Sequence, residues 1–334
     1  MNARAFSASS DVTTLDDLVA RFEAEETSNN ADAVVRLDKV RMTAEGTLRM
    51  PSLHGEFAMN DWARGQLARC VGSTWDRWFE NADARDRAEE MNRRLARSSG
   101  TVRVRSTKRV PDGVTAGGVI RAFVSPDYSP IADALVARVL RDSLQGVGDH
   151  VQLVRRATTD LSTTLVVRVG ERLTPSAEVG ALQGCVYARN SGVGFAKLVV
   201  GLMLHRLACK NGLIVSLPGA TLVRAVHLRV DTARIQQRLA DGLRDLPAKV
   251  HRGARAMAES TREDVANVEL EVRDVLREAR LPMRLIAPVM TAYEREPRST
   301  RFGIASALTL HAQSENPEVR YELERAAGVY LGQV

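Results

Sequence analysis

The sequence predicts an α+β protein: a twisted, mostly antiparallel sheet with packed helices, then an all-helical C-terminal region. Three observations predict it. Between residues 33 and 229, apolar residues alternate in short runs bounded by turn residues. After Val230 the apolar spacing changes to three or four. The densest segment, Gly184–Ser216, reads as strand, Asn-Ser-Gly turn, long strand, turn at Lys210-Asn211-Gly212, and short strand. Strands grouped together, not interleaved with helices, favour antiparallel pairing. The expected division is a polar N-terminal segment (1–30), a sheet-rich core domain (31–230) and a helical C-terminal region (231–334).

In chain order, Thr14–Glu26 reads as a short capped helix, and residues 33–50 as a hairpin turning at Glu45-Gly46. Asn60 caps a helix bearing Trp62, Leu67 and Cys70, and Asn81–Arg97 forms a charged helix. Thr101–Arg109 alternates cleanly: Val102 and Val104 face one way, Arg103, Arg105 and Arg109 the other. Gly117–Ser125 is a strand, and Pro126 to Pro130 turn into a helix over 131–144. Further strands are predicted at 151–156, 163–169, 180–189, 195–206, 213–216 and 222–229. The stretch 198–204 is apolar on both faces, which places it inside a sheet. Asn190, Asn211 and Gly212 are assigned to hairpin turns, since Asn and Gly accept positive φ. Ile235, Leu239, Leu243 and Leu246 form one helical stripe; Val265, Val268, Val272, Val275 and Ala279 form another. Helices around 285–293, 299–312 and 317–331 complete the chain.

The chain has 334 residues and a formal net charge of +6. Three cysteines without a pairing pattern predict reduced thiols and a cytoplasmic setting. No apolar run is long enough to span a bilayer, so no membrane partner is expected. The charge is uneven. Residues 85–109 carry nine basic against three acidic side chains, and 224–255 carry eight against three. Residues 1–32 and 259–278 are acidic. Blocks of opposite sign can pair between subunits, and basic blocks can meet phosphates.

Catalytic signatures are absent. The phosphate-loop pattern is missing, and Gly146-Val147-Gly148 lacks the third glycine of a dinucleotide fingerprint. His54-Gly55-Glu56 matches half of a zinc-deaminase motif, but no Pro-Cys-x-x-Cys follows. No catalytic residue, metal ligand or cofactor is expected. The remaining candidates are basic: Arg103, Arg105, Lys108, Arg109, Arg121, Arg155, Arg156, Arg189, Lys197, Arg206 and Lys210. On strand faces and strand ends they would form a groove for a nucleic-acid backbone. A solvated sheet face is the plainer reading of the same residues. Few aromatics stand near them, so base stacking is not the expected mode.

Arg189-Asn190-Ser191-x-x-Gly194, with Leu204-x-Arg206-Leu207-x-Cys209-x-Asn211-Gly212, resembles a family of phage- and plasmid-borne proteins of largely unassigned function. Upstream, Arg121-Ala122-Phe123-Val124-Ser125-x-x-Tyr128 and Pro130-Ile131-Ala132-Asp133 look like the same family's strand and following helix. The resemblance covers about residues 50–330 and implies a setting of phage or plasmid replication and recombination. A hairpin-rich sheet followed by helices is also similar, at fold level only, to single-strand annealing proteins of the RecT and Redβ kind. The expected function is non-enzymatic: backbone-directed binding of single-stranded DNA and strand annealing by a homo-oligomer, ring or filament. The alternatives are a phage or plasmid protein with a structural or host-interaction role, or a nucleic-acid enzyme whose site assembles only in the fold.

Overall fold

The computed structural model describes residues 14–51, 53–75, 77–108, 117–145, 151–207, 214–228 and 231–332. The elements are α1 (Leu15–Glu26), β1 (Ala33–Arg36), β2 (Arg41–Met42), β3 (Leu48–Met50), β4 (Leu53–Met59), α2 (Asp61–Cys70), α3 (Arg77–Asn81), α4 (Ala84–Ala96), β5 (Thr101–Thr107) and β6 (Gly118–Val124). There follow α5 (Asp133–Leu144), β7 (Gln152–Thr158), β8 (Thr163–Leu173), β9 (Leu182–Asn190), β10 (Leu198–Arg206) and β11 (Ile214–Ala225). The chain continues through α6 (Thr232–Arg244), α7 (Leu246–Glu259), α8 (Val268–Glu278), α9 (Ile286–Tyr293), α10 (Arg301–Ala312) and α11 (Pro317–Leu331).

The α+β class holds, but the strands divide into two sheets. The first has six strands in the order β1-β5-β6-β4-β3-β2, and the second five in the order β11-β10-β9-β8-β7. Every pairing is antiparallel except β4 with β6. The chain leaves the first sheet at Val124, turns through Ser125–Tyr128 and enters α5, so the next strand starts a new sheet.

Caps fix several helix starts. Thr14 and Asp17 form a reciprocal capping box on α1, and Asn60, Asn316 and Thr300 cap α2, α11 and α10. Pro317 sits in the first turn of α11, where its missing N–H costs nothing. The predicted helix from Val265 begins instead at Val268. Asn267 caps it, while Val265 donates to the Ser299 carbonyl.

Leu15, Leu18, Val19 and Phe22 of α1 are buried in one core with α5, the second sheet and the C-terminal helices. Residues of β2, β3, β4 and α4 pack a separate core on the first sheet. In the second sheet, every residue of β9 is buried because both faces are covered. Gly184 points at Val250 of α7, while Tyr187, from the opposite parity, meets Tyr321 of α11. As expected, the apolar stretch 198–204 is internal, with β9 on one side and β11 on the other. At Gly328 the helix α11 lies so close to β11 that an added Cβ would fall 2.0 Å from the Ser216 carbonyl oxygen.

Asn190 is not a turn residue. It closes β9 in extended backbone, paired with Thr163, and only Gly194 in the loop 191–197 has positive φ. Its buried amide donates to the Ile131 carbonyl (2.8 Å) and to Asp133 (2.7 Å). The turn assignments of Asn211 and Gly212 lie outside the described residues.

Candidate functional site at the junction of the two sheets

The two sequence motifs, 121–133 and 189–194, meet where the sheets join. The Tyr128 hydroxyl donates to the Ser191 carbonyl (2.9 Å) and accepts from the Gly194 N–H (3.1 Å). Ser191 Oγ donates to the Leu161 carbonyl and accepts from Phe195 N–H. Trp62 and Gln66 of α2 both donate to the Val193 carbonyl, and Arg105 reaches the Gly192 carbonyl. Loop 191–197 is therefore held on the first sheet by side chains as well as by packing. Ser191 and Asn190 satisfy backbone groups that burial would otherwise leave unpaired.

Beside this knot lies Arg121, half-buried on β6. Its charge interacts with Asp133, Asp160 and Glu25 at a distance, and it has neither a hydrogen bond nor an ion pair among the described residues. Burial first, then the neighbouring Arg105, pulls its pKa below the ordinary arginine value. Burial pushes the Asp133 carboxyl up, despite hydrogen bonds from Thr163 and Asn190. Glu25 is itself engaged by Arg156 and Arg21, and Asp133 by Thr163 and Asn190. The group works as a counter-charge network.

The other predicted contact residues are spread out. Arg103 donates twice to the Pro126 carbonyl (3.1 and 2.8 Å). Arg105 pairs with Asp32 at 3.1 Å. Adjacent residues of β7 go opposite ways: Arg155 forms two bonds to Glu324 of α11 (2.5 and 2.6 Å), and Arg156 pairs with Glu25 of α1 (2.8 Å). Arg189 is buried, paired with Glu322 and stacked 4.3 Å from the Tyr321 ring centroid. Arg206 donates to the Val179 and Glu178 carbonyls, fixing the loop before β9. Lys108 and Lys197 are exposed. Arg109 and Lys210 lie outside the described residues. Arg103, Arg105, Arg155, Arg156, Arg189 and Arg206 thus serve as internal ties.

One group of exposed arginines without an ion pair lies outside these candidates. On the block 224–255, Arg224, Arg234, Arg238, Arg252 and Arg255 are exposed, with no carboxylate within 4.0 Å. Arg244, paired with Asp241, is the exception among the described arginines of this block. Ile235, Leu239, Leu243, Leu246, Val250 and Ala254 face the core, so the arginines of α6 and α7 point outward. The sequence signal was the eight-to-three charge ratio of this block. By contrast, α4 neutralises its own charge: Arg85 pairs with Glu89, and Arg93 and Arg94 with Glu90.

His227 stacks on Tyr128 (centroids 5.2 Å apart), and its Nδ1 accepts from Ile131 N–H. Burial, with Arg105 nearby, pushes its pKa down to about 4. A depressed histidine pKa means the unfolded chain binds the proton more tightly. Stability from this group is therefore full above about pH 6.5 and is lost as pH falls toward 4. The urea midpoint should drop across that window, and His227→Gln should flatten the drop. An equally steep pH profile in the variant would show that His227 is not its source.

No helix among the described residues is long and apolar enough to cross a membrane. No family model, curated protein or solved structure matches the chain.

Proposed function

We propose that the protein binds a nucleic-acid backbone through the outer faces of α6 and α7, without catalysis, in a cytoplasmic setting. Single-stranded DNA is the expected polymer, and strand annealing by a homo-oligomer the expected outcome. The observation that carries this is the set of five exposed, unpaired arginines on residues 224–255. Outward-facing cations on rigid helices neutralise phosphates and leave base edges free to pair. The junction of the two motifs supports reading 121–133 and 189–194 as one unit, in keeping with the resemblance to phage- and plasmid-borne proteins. Four sheet edges, β1, β2, β7 and β11, offer routes to self-association.

The test is oligonucleotide affinity against salt. Arg234, Arg238, Arg252 and Arg255 replaced together by Ala should flatten the slope of log K by roughly 3 units, at about 0.7 per phosphate contact. Arg103→Ala should leave it unchanged. An unaltered slope in the fourfold variant would overturn the site. A mass of 36.6 kDa with oligonucleotide present would overturn the oligomer. The neutralised arginines Arg155, Arg156 and Arg189 favour a second reading, a structural or host-interaction role, which absence of binding at low salt would leave standing.

A further inference from the structure

The face of the second sheet that carries α11 is unevenly covered. Tyr321, Glu322 and Glu324 sit over Tyr187, Arg189 and Arg155. Toward the other end, two cross-strand rows follow from the register. Arg172, Gln183 and His205 lie side by side on β8, β9 and β10, and Gln152, Arg168, Cys185 and Met203 form the next row. Gln152 and Arg168 of one row, and Arg172 and Gln183 of the other, line a cavity of about 550 Å³ together with Glu171. The register skips between Val169 and Arg172, with Gly170 at φ 73°, and Gln183 donates to the Gly170 carbonyl at 2.5 Å. That bulge re-aims the end of β8, as bulges do beside sites.

The cavity is positive. Arg168 donates to the Gln152 side-chain oxygen and has no carboxylate partner. Arg172 is exposed and unpaired among the described residues. Glu171 is the one carboxylate of the lining among the described residues. Beyond it, Arg155 and Arg320 share the single carboxylate of Glu324, leaving another unit of positive charge nearby. His205 Nδ1 is buried without a partner. Burial first, then Arg168 and Arg155, push the His205 pKa down to about 4, which is the response of a neutral ring in a positive field.

We propose that this cavity binds a terminal phosphomonoester carried by a nucleotide-sized molecule, with Arg168 and Arg172 gripping the phosphate. Two guanidinium forks four residues apart suit a tetrahedral dianion, which offers three acceptor oxygens and up to two negative charges at neutral pH. The volume lies in the range of small-molecule sites. The cavity is on the α11 side of the sheet, while α7 covers the opposite face, so the inference stands apart from the proposed backbone contact on α6 and α7.

Two sources carry this chemistry: a free mononucleotide and the 5′ end of a strand. Calorimetry on the full chain would compare dAMP, deoxyadenosine, succinate, and one oligonucleotide with a 5′-phosphate or a 5′-hydroxyl. The expected result is that phosphate raises affinity, and that Arg168→Gln with Arg172→Gln removes about tenfold or more of it. Binding of dAMP over deoxyadenosine identifies the free nucleotide. A 5′-phosphate preference without dAMP binding identifies the strand end. Arg172→Gln alone, at an exposed position, guards against misfolding and should lose part of the same affinity. No phosphate-dependent binding, an unchanged affinity in the double variant with its melting curve intact, or equal binding of succinate would overturn the proposal.

Discussion

Replacing Glu324 with alanine should destabilise the protein by about 3–5 kcal/mol, the cost of stranding a buried charge. The Glu324 side chain is 2% exposed, and that of Arg155 is 12% exposed. Its carboxylate takes two bonds from Arg155 and a third from Arg320 at 2.9 Å. Without it, two guanidinium groups, 12% and 25% exposed, are left side by side with no counter-charge between them. The arginines cannot shed their protons to escape, as a lysine could. The control is a paired apolar replacement, Glu324→Leu with Arg155→Met, which removes both charges and should recover most of the loss. Urea midpoints of the three proteins decide it. A loss below about 1 kcal/mol in the alanine variant would mean that water or a local shift solvates Arg155.

Gly328→Ala should also destabilise, although alanine in a helix interior ordinarily gains nearly 1 kcal/mol over glycine. The new methyl would fall on the backbone of Ser216, with its carbonyl oxygen at 2.0 Å and its N and C atoms at 2.8 Å. A flexible side chain could move aside; a strand paired within a sheet cannot. The helix must shift, and overpacking of this kind costs about 1–3 kcal/mol net. Because α11 also carries Glu322 and Glu324, its displacement would loosen Arg189 and Arg155, and Gly328→Val should be worse than Gly328→Ala. A higher melting temperature for Gly328→Ala would contradict the close approach.

Local pattern explains what could be read in advance. The alternation of Thr101–Thr107 and the stripe of Ile235, Leu239 and Leu243 are properties of neighbouring residues, and each became the expected element with the expected buried face; Leu246, expected on the same stripe, instead opens α7, with Pro247 in its first turn. The split into two sheets was hidden because alternation names a strand and says nothing of its partner. The parallel pairing of β4 with β6, across an intervening α2–α4 and β5, has no signature in either strand. Asn190 was misread for a related reason. Asn-Ser-Gly is a good turn signal, but here its amide answers Ile131 and Asp133, 57 to 59 residues away. The strand arginines were expected at phosphates or on a solvated sheet face, since alternation shows a charge and not its partner. Glu324, Glu322 and Glu25, which supply those partners, lie 131 to 169 residues distant and could not be assigned from spacing.

The neighbouring residues Arg155 and Arg156 tie one edge strand to helices drawn from far apart in the chain, α1 before it and α11 after it. On a chain made from its N-terminus, Arg156 meets a carboxylate that has already been synthesised. Arg155 must wait for Glu324, 169 residues later. At about 5–20 residues per second that wait lasts roughly ten to thirty seconds. Throughout it the strand holds one neutralised and one bare guanidinium, so the second sheet reaches its final charge balance only when residues 317–331 have left the ribosome.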